Sequence, residues 1–141
     1  MKIKIQRLHP DAILPRYAHP GDSGMDLFAI ESMVIFPGNV YHAKTGIAVE
    51  IPIGYEGQIR PKSGRAVRES LSVIFGTVDQ AYRGEIGVML VAYESPVIIE
   101  KYQKIAQLVI VPVVQVEIVE ADSLSETVRG QGGFGSTGIK L

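Results

Sequence analysis

Glycine and proline interrupt this chain so often that no long helix can form in it. The 141 residues include 15 Gly and 8 Pro; glycine weakens regular elements and proline removes a backbone donor. Between the breaks lie short runs with a period of two, the signature of half-buried strands. Met1–Leu8 alternates Lys and Ile, and Gly46–Ile51, Tyr55–Pro61, Glu85–Tyr93, Pro96–Ile99 and Lys104–Ile118 are rich in β-forming residues. Many short strands divided by turn signals predict an all-β barrel or sandwich. Arg65–Leu71 is free of Gly and Pro, places Ala66, Ser70 and Leu71 at helical spacing and follows Ser63-Gly64. It predicts one helix of about two turns at most. Leu108–Val116 is apolar at both parities. Such a strand needs cover on both faces, from a second layer or from another subunit.

Length and charge narrow the function classes. The chain is long enough for one core, and neither an internal repeat nor a domain boundary is visible. Lys+Arg number 14 against 15 Asp+Glu, a net charge of −1, which leaves no basic footprint for nucleic acid. With no cysteine, disulfides and thiolate metal sites are excluded. Met1–Pro10 has no apolar core of a signal peptide. The longest apolar run, Leu108–Val114, is broken by Pro112 and too short to span a bilayer. The expectation is a soluble cytoplasmic protein without a membrane partner.

Four segments carry possible chemistry, and each also has an ordinary structural reading. In Arg129-Gly-Gln-Gly-Gly-Phe-Gly-Ser-Thr-Gly138, five glycines let backbone N–H groups converge on an anion. Ser136 and Thr137 add hydroxyls, Arg129 a bidentate phosphate clamp, and Phe134 a surface for a base. No Gly-Lys-Ser/Thr occurs, so this is not a Walker A loop; by composition alone a plain flexible extension is commoner. Pro61-Lys-Ser-Gly-Arg-Ala66 offers free N–H groups and the cations Lys62 and Arg65 to a phosphate, or is a simple helix cap. In Gly76-Thr-Val-Asp-Gln-Ala-Tyr-Arg-Gly-Glu85, Asp79 can accept a proton from water, or can merely form a turn. Gly21-Asp-Ser-Gly-Met-Asp-Leu27 sets two carboxylates in a Gly-rich stretch, for a metal or for turn chemistry. His9, His19 and His42 lack metal-ligand spacing and read as surface or packing residues.

Taken in order, Gly21–Ala29, Arg60–Ala66, Gly76–Glu85, Lys104–Leu108 and Arg129–Gly138 resemble the five motifs of the trimeric dUTP pyrophosphatases. The likeness runs from about residue 17 onward. It implies a jelly-roll-like β-barrel over residues 1–128, a flexible lid over 129–141 that orders on nucleotide, and a homotrimer with shared active sites. Motif 76–87 would come from one subunit, motifs 21–29, 60–66 and 104–108 from a second, and the lid from a third. The implied reaction is Mg²⁺-assisted hydrolysis of dUTP to dUMP and pyrophosphate. Asp79 would deprotonate the attacking water, and Tyr82 would pack under the deoxyribose and exclude a 2′-hydroxyl. The backbone of Gly76, Thr77, Val78 and Gly87 would read the uracil edge. Lys62, Ser63, Gly64 and Gln107 would contact phosphates, while Asp26 would reach Mg²⁺ through water. Phe134 would cap the uracil, and Arg129, Gly135, Ser136 and Thr137 would close over the outer phosphates.

The chain departs from the family pattern at several points. Lys62 stands for a usual Arg, Arg65 for Leu, Met25 for Tyr, and Tyr102-Gln103-Lys104 for Gly-Asp-Arg; Ile74-Phe75 replaces small residues beside the base. Two rivals share the fold. A dCTP deaminase would need a Glu five residues after Gly84, where this chain has Met89. A nucleotide sensor or regulatory binding protein would not need the water-activating Asp79, which is intact.

Overall fold

The computed structural model describes residues 1–133; Phe134, expected to cap the base, and Gly135, Ser136 and Thr137, expected to close over the outer phosphates, lie outside them. Eleven strands and one helix follow one another: β1 (Lys4–Arg7), β2 (Met25–Phe28), β3 (Met33–Ile35), β4 (Val40–Lys44), β5 (Ile47–Glu50), β6 (Tyr55–Arg60), α1 (Ser63–Glu69), β7 (Leu71–Val73), β8 (Gly76–Val78), β9 (Gly87–Ala92), β10 (Val97–Ile99) and β11 (Lys104–Pro112). The all-β expectation holds. The strands form four antiparallel sheets, ordered β2-β11-β6-β8, β4-β9-β7, β1-β5 and β10-β3. Among the described residues no single ladder closes into a barrel.

Period two is kept where one face meets the core. In β9, Val88, Leu90 and Ala92 are buried, whereas Gly87, Met89 and Val91 face outward. The inward residues join Leu27, Ile35, Ile47, Leu71, Ile99 and Leu108 in one apolar cluster. Burying such a side chain stabilises the fold by about 1.5–3 kcal/mol.

Three local expectations need correction. Ser63 and Gly64 do not precede the helix but form its first turn, and Leu71, read as helical, opens β7. Ser70 ends the helix in the left-handed region, at φ 49°. β11 stops at Pro112, so the strand expected to reach Ile118 is cut short; a proline cannot donate to the ladder. Within Leu108–Val116, Leu108 and Val109 are buried, but Val114 and Val116 are 85% and 75% exposed in the single chain.

Candidate active site

The loop between β8 and β9, which lie in different sheets rather than forming the hairpin that the turn signals suggested, carries the first group of functional residues. Val78 pairs with Gly57 of β6, and Asp79 follows at the strand's end. The turn closes through the Tyr82 N–H donating to the Asp79 carbonyl at 3.0 Å. The Tyr82 hydroxyl donates to the Glu85 carbonyl at 3.0 Å, folding the phenol back over Gly84. The return limb is tied to the body of the protein. Buried Thr45 donates its hydroxyl to the Ile86 carbonyl, the Ile86 N–H donates to Ile47 at 2.8 Å, and Glu85 Oε1 accepts the Gly46 N–H at 2.8 Å. The anchored loop borders a cavity of about 250 Å³.

That cavity gathers the expected base and sugar residues. Gly76, Thr77, Val78, Asp79, Tyr82 and Gly87 all line it. Its size suits a pyrimidine nucleoside and falls below the roughly 300–1,000 Å³ of typical drug-sized sites. Sequence reasoning missed His42, Ile59 and Met89, which also line it. No signal in the sequence marks His42, because its place follows from the pairing of β4 with β9. Ile74 and Phe75 are exposed and do not line the cavity, so they do not reshape it within one chain. A larger hollow of about 420 Å³ lies on the other side of Asp79, between Ile53–Glu56, Gln80 and Val113.

The second group sits around Asp26. Strand β2 is buried at all four positions, and Asp26 is only 2% exposed. A lone buried carboxylate would be costly; here Lys62 forms an ion pair with Oδ1 and Lys104 Nζ lies 2.6 Å from Oδ2. The Lys104 contact is ionic without hydrogen-bond direction, which leaves Oδ2 with no directed donor. Burial pushes the Asp26 carboxyl up, but the two ammonium groups of Lys104 and Lys62 beside it outweigh burial, and the net shift is downward. A register shift between Lys104 and Ala106 makes the Lys104 contact possible. Residues three apart point to opposite faces of a regular strand; the bulge absorbs one residue, so Lys104 shares a face with Gln107, the direct partner of Asp26.

Gln107 donates to the Pro61 carbonyl at 2.9 Å, beside the first turn of α1. A Cβ at Gly24 would collide with the Gln107 side chain, which is why the motif needs glycine there. Among the described residues no side chain caps α1, so the N–H groups of Ser63 and Gly64 stay available. Of the two carboxylates in 21–27, Asp22 is a turn-former that accepts the His19 N–H at 2.8 Å, and Asp26 alone belongs to the site. Two departures from the motif pattern compensate each other. Arg65 donates to Gln103 Oε1 at 3.1 Å and to the Lys104 carbonyl at 3.2 Å while pairing with Glu69, so it ties α1 to the turn before β11.

Within one chain the two groups do not converge. Asp26 lies on β2 and Asp79 follows β8, the opposite edges of the four-stranded sheet. Three strand spacings separate them by about 14 Å, with four residues, about 14 Å more, along the strands. Arg129 joins neither group; its hydrogen bonds are with Gly132, at 2.9 and 3.0 Å. Among the described residues no helix is long and apolar enough to cross a membrane.

Comparison with known proteins agrees with this anatomy. The dUTPase family model matches residues 10–138. The chain is 53% identical to the deoxyuridine 5′-triphosphate nucleotidohydrolase of Alkaliphilus metalliredigens over 98% of each chain, and 45% identical to that of Clostridioides difficile over 97% of this chain and 98% of the relative. The Staphylococcus bacteriophage 80alpha dUTPase, solved with dUPNHPP, superposes with a TM-score of 0.93 at 29% identity, covering 98% of this chain and 99% of its own. A mutant dUTPase of phage phi11, described with a structural Mg(II) ion, gives 0.81 at 27% identity over 87% of this chain and 98% of that chain. With both halves of the motif set placed on a dUTPase-like scaffold, the chain belongs to the dUTPase family.

Proposed function

We propose that this protein hydrolyses dUTP to dUMP and pyrophosphate, with each active site divided between copies of the chain. The observation that carries the reading is the position of Asp79 at a nucleoside-sized cavity lined by backbone of residues 76–78 and 87. Backbone donors and acceptors there match uracil and mismatch cytosine. Tyr82 lies where the deoxyribose would rest and leaves no space for a 2′-hydroxyl. Asp79 takes a proton from water, the oxygen attacks the α-phosphorus, and the bond to the bridging oxygen breaks with pyrophosphate as the leaving group. Lys62, Ser63, Gly64 and Gln107 of a second copy hold the phosphates, and the segment 129–141 of a third closes over them as a lid on the barrel domain 1–128. A homotrimer follows, and the exposed valines after Pro112 support it: they are apolar surface with no cover in one chain.

Mg²⁺ fits this arrangement as a passenger on the triphosphate. Among the described residues no three His, Asp or Glu side chains form a metal cage, and Asp26 Oδ2, without a directed donor, is suited to accept from a metal-bound water. Bound there, Mg²⁺ supplies neutralising charge for the departing pyrophosphate. We place the reaction in the cytoplasm, where it keeps uracil out of DNA and supplies dUMP. The phage 80alpha enzyme is described as controlling transfer of virulence genes, but no surface among the described residues favours a regulatory role over hydrolysis. Pyrophosphate release from dUTP, dCTP, dTTP and UTP tests the reading. Rapid release from dUTP alone is expected; equal release from UTP or dCTP would refute it.

A further inference from the structure

The dUTP reading leaves His42 without a role, yet the structure places it against the base-reading backbone. Strand β4 pairs with β9, setting His42 opposite Met89 and Lys44 opposite Gly87. The imidazole leans along the ladder onto Gly87: a Cβ added there would overlap Nε2 and lie 2.7 Å from both Cδ2 and Cε1. The Gly87 backbone is not in the left-handed region, so its conformation does not demand glycine. A side chain there would instead push the His42 ring aside. His42 and Gly87 line the same cavity as Val78 and Asp79, and the ring fills the volume that a side chain at position 87 would take. A ring used for packing alone would be covered, whereas His42 stays exposed at the cavity.

We propose that His42 is a base-contacting residue, whose Nε2–H donates to a carbonyl of the pyrimidine held at the Gly87 backbone. Gly87 lacks a side chain so that the ring can reach it. The proposal rests on the dUTP reading and adds to it a side-chain donor in a pocket otherwise read by backbone.

The test measures KM and kcat for dUTP, with inhibition by inorganic tripolyphosphate as the control for the phosphate side. His42→Phe keeps a ring of similar shape without the donor. It should raise KM about fivefold, the worth of one net hydrogen bond, with a much smaller change in kcat and no change in tripolyphosphate inhibition. His42→Gln, which retains a donor, should recover most of the loss. Gly87→Ala should expel the ring and raise KM to a similar degree, and adding His42→Phe to it should cost nothing further. An unchanged KM in His42→Phe, or in Gly87→Ala should the first variant fail to fold, would overturn the proposal. So would additive losses in the double variant. Failure of the unmutated protein to hydrolyse dUTP would instead overturn the functional reading, and this proposal with it.

Discussion

Asp26→Asn removes the negative charge that two ammonium groups share, and the structure sets the size of the consequence. Breaking a fully buried ion pair by deleting one partner costs about 3–5 kcal/mol. Here the carboxylate side chain is 3% exposed, but Lys62 and Lys104 are 27% and 42% exposed and can turn toward solvent. The cost should therefore fall to about 2 kcal/mol once solvent screening is allowed for. In a chain of this length that lowers Tm by about 4–8 °C. The pH dependence identifies the cause. The folded-state pKa of Asp26 lies below its ordinary value of 3.8, so the unfolded chain takes up this proton more readily. The stabilisation is then fully present above that ordinary value and is lost as pH falls through the lower folded-state pKa. Thermal melts of wild type and Asp26→Asn should differ at pH 7, and the gap should close as pH falls through the lowered folded-state pKa. Asp26→Asn should also need more Mg²⁺ for half-maximal turnover. Equal Tm at pH 7, or a gap that does not narrow as the solution is acidified below the ordinary value of 3.8, would show that the lysine pairing is not what holds this carboxylate.

Asp79→Asn keeps the side-chain shape without the proton acceptor, and kcat should fall by roughly 10²–10⁴-fold while calorimetry still detects binding of a non-hydrolysable dUTP analogue. Tyr82→Ala opens the cavity floor, so the ratio of kcat/KM for dUTP over UTP should drop markedly; an unchanged ratio would remove Tyr82 from sugar selection. Truncation before Arg129 should lower kcat by about 10²-fold or more, as loss of preorganised donors does. Its Tm should hold, because Arg129–Gly133 are exposed and, among the described residues, bond only to one another and to the adjacent, exposed Thr127; a collapsed Tm would make the segment structural.

Strands with one face on the core were legible from alternation alone: β6 and β9 fall where the pattern puts them. Strand β2 was not. Met25–Phe28 is buried throughout, so it shows no alternation, and the glycines before it read as a turn. Strands β3, β7 and β8 have three residues each, too few for a period to declare itself. Beyond Pro112 the Val113 N–H still bonds to Gly54, but Val114, Val116 and Ile118 are exposed with no strand beside them among the described residues, and composition cannot say whether another copy covers them. The site was legible as motifs because its residues sit in contiguous stretches. His42 was not, since its place depends on the cross-strand register of β4 with β9 and on an absent side chain at Gly87.

The division of the site between copies is the claim on which the rest depends, and mixing two inactive variants tests it directly. Asp79→Asn disables the β8–β9 loop half and Ser63→Ala/Gln107→Ala the phosphate half. Each should be nearly inactive alone. Co-refolded in equal amounts as random trimers, they should regain about one quarter of wild-type dUTPase activity, because about one site in four pairs an intact β8–β9 loop with an intact phosphate cluster from a neighbouring copy. Recovery near that level is the predicted result. Full trimer assembly with no recovery would mean that both halves act within one chain, contrary to the geometry described above.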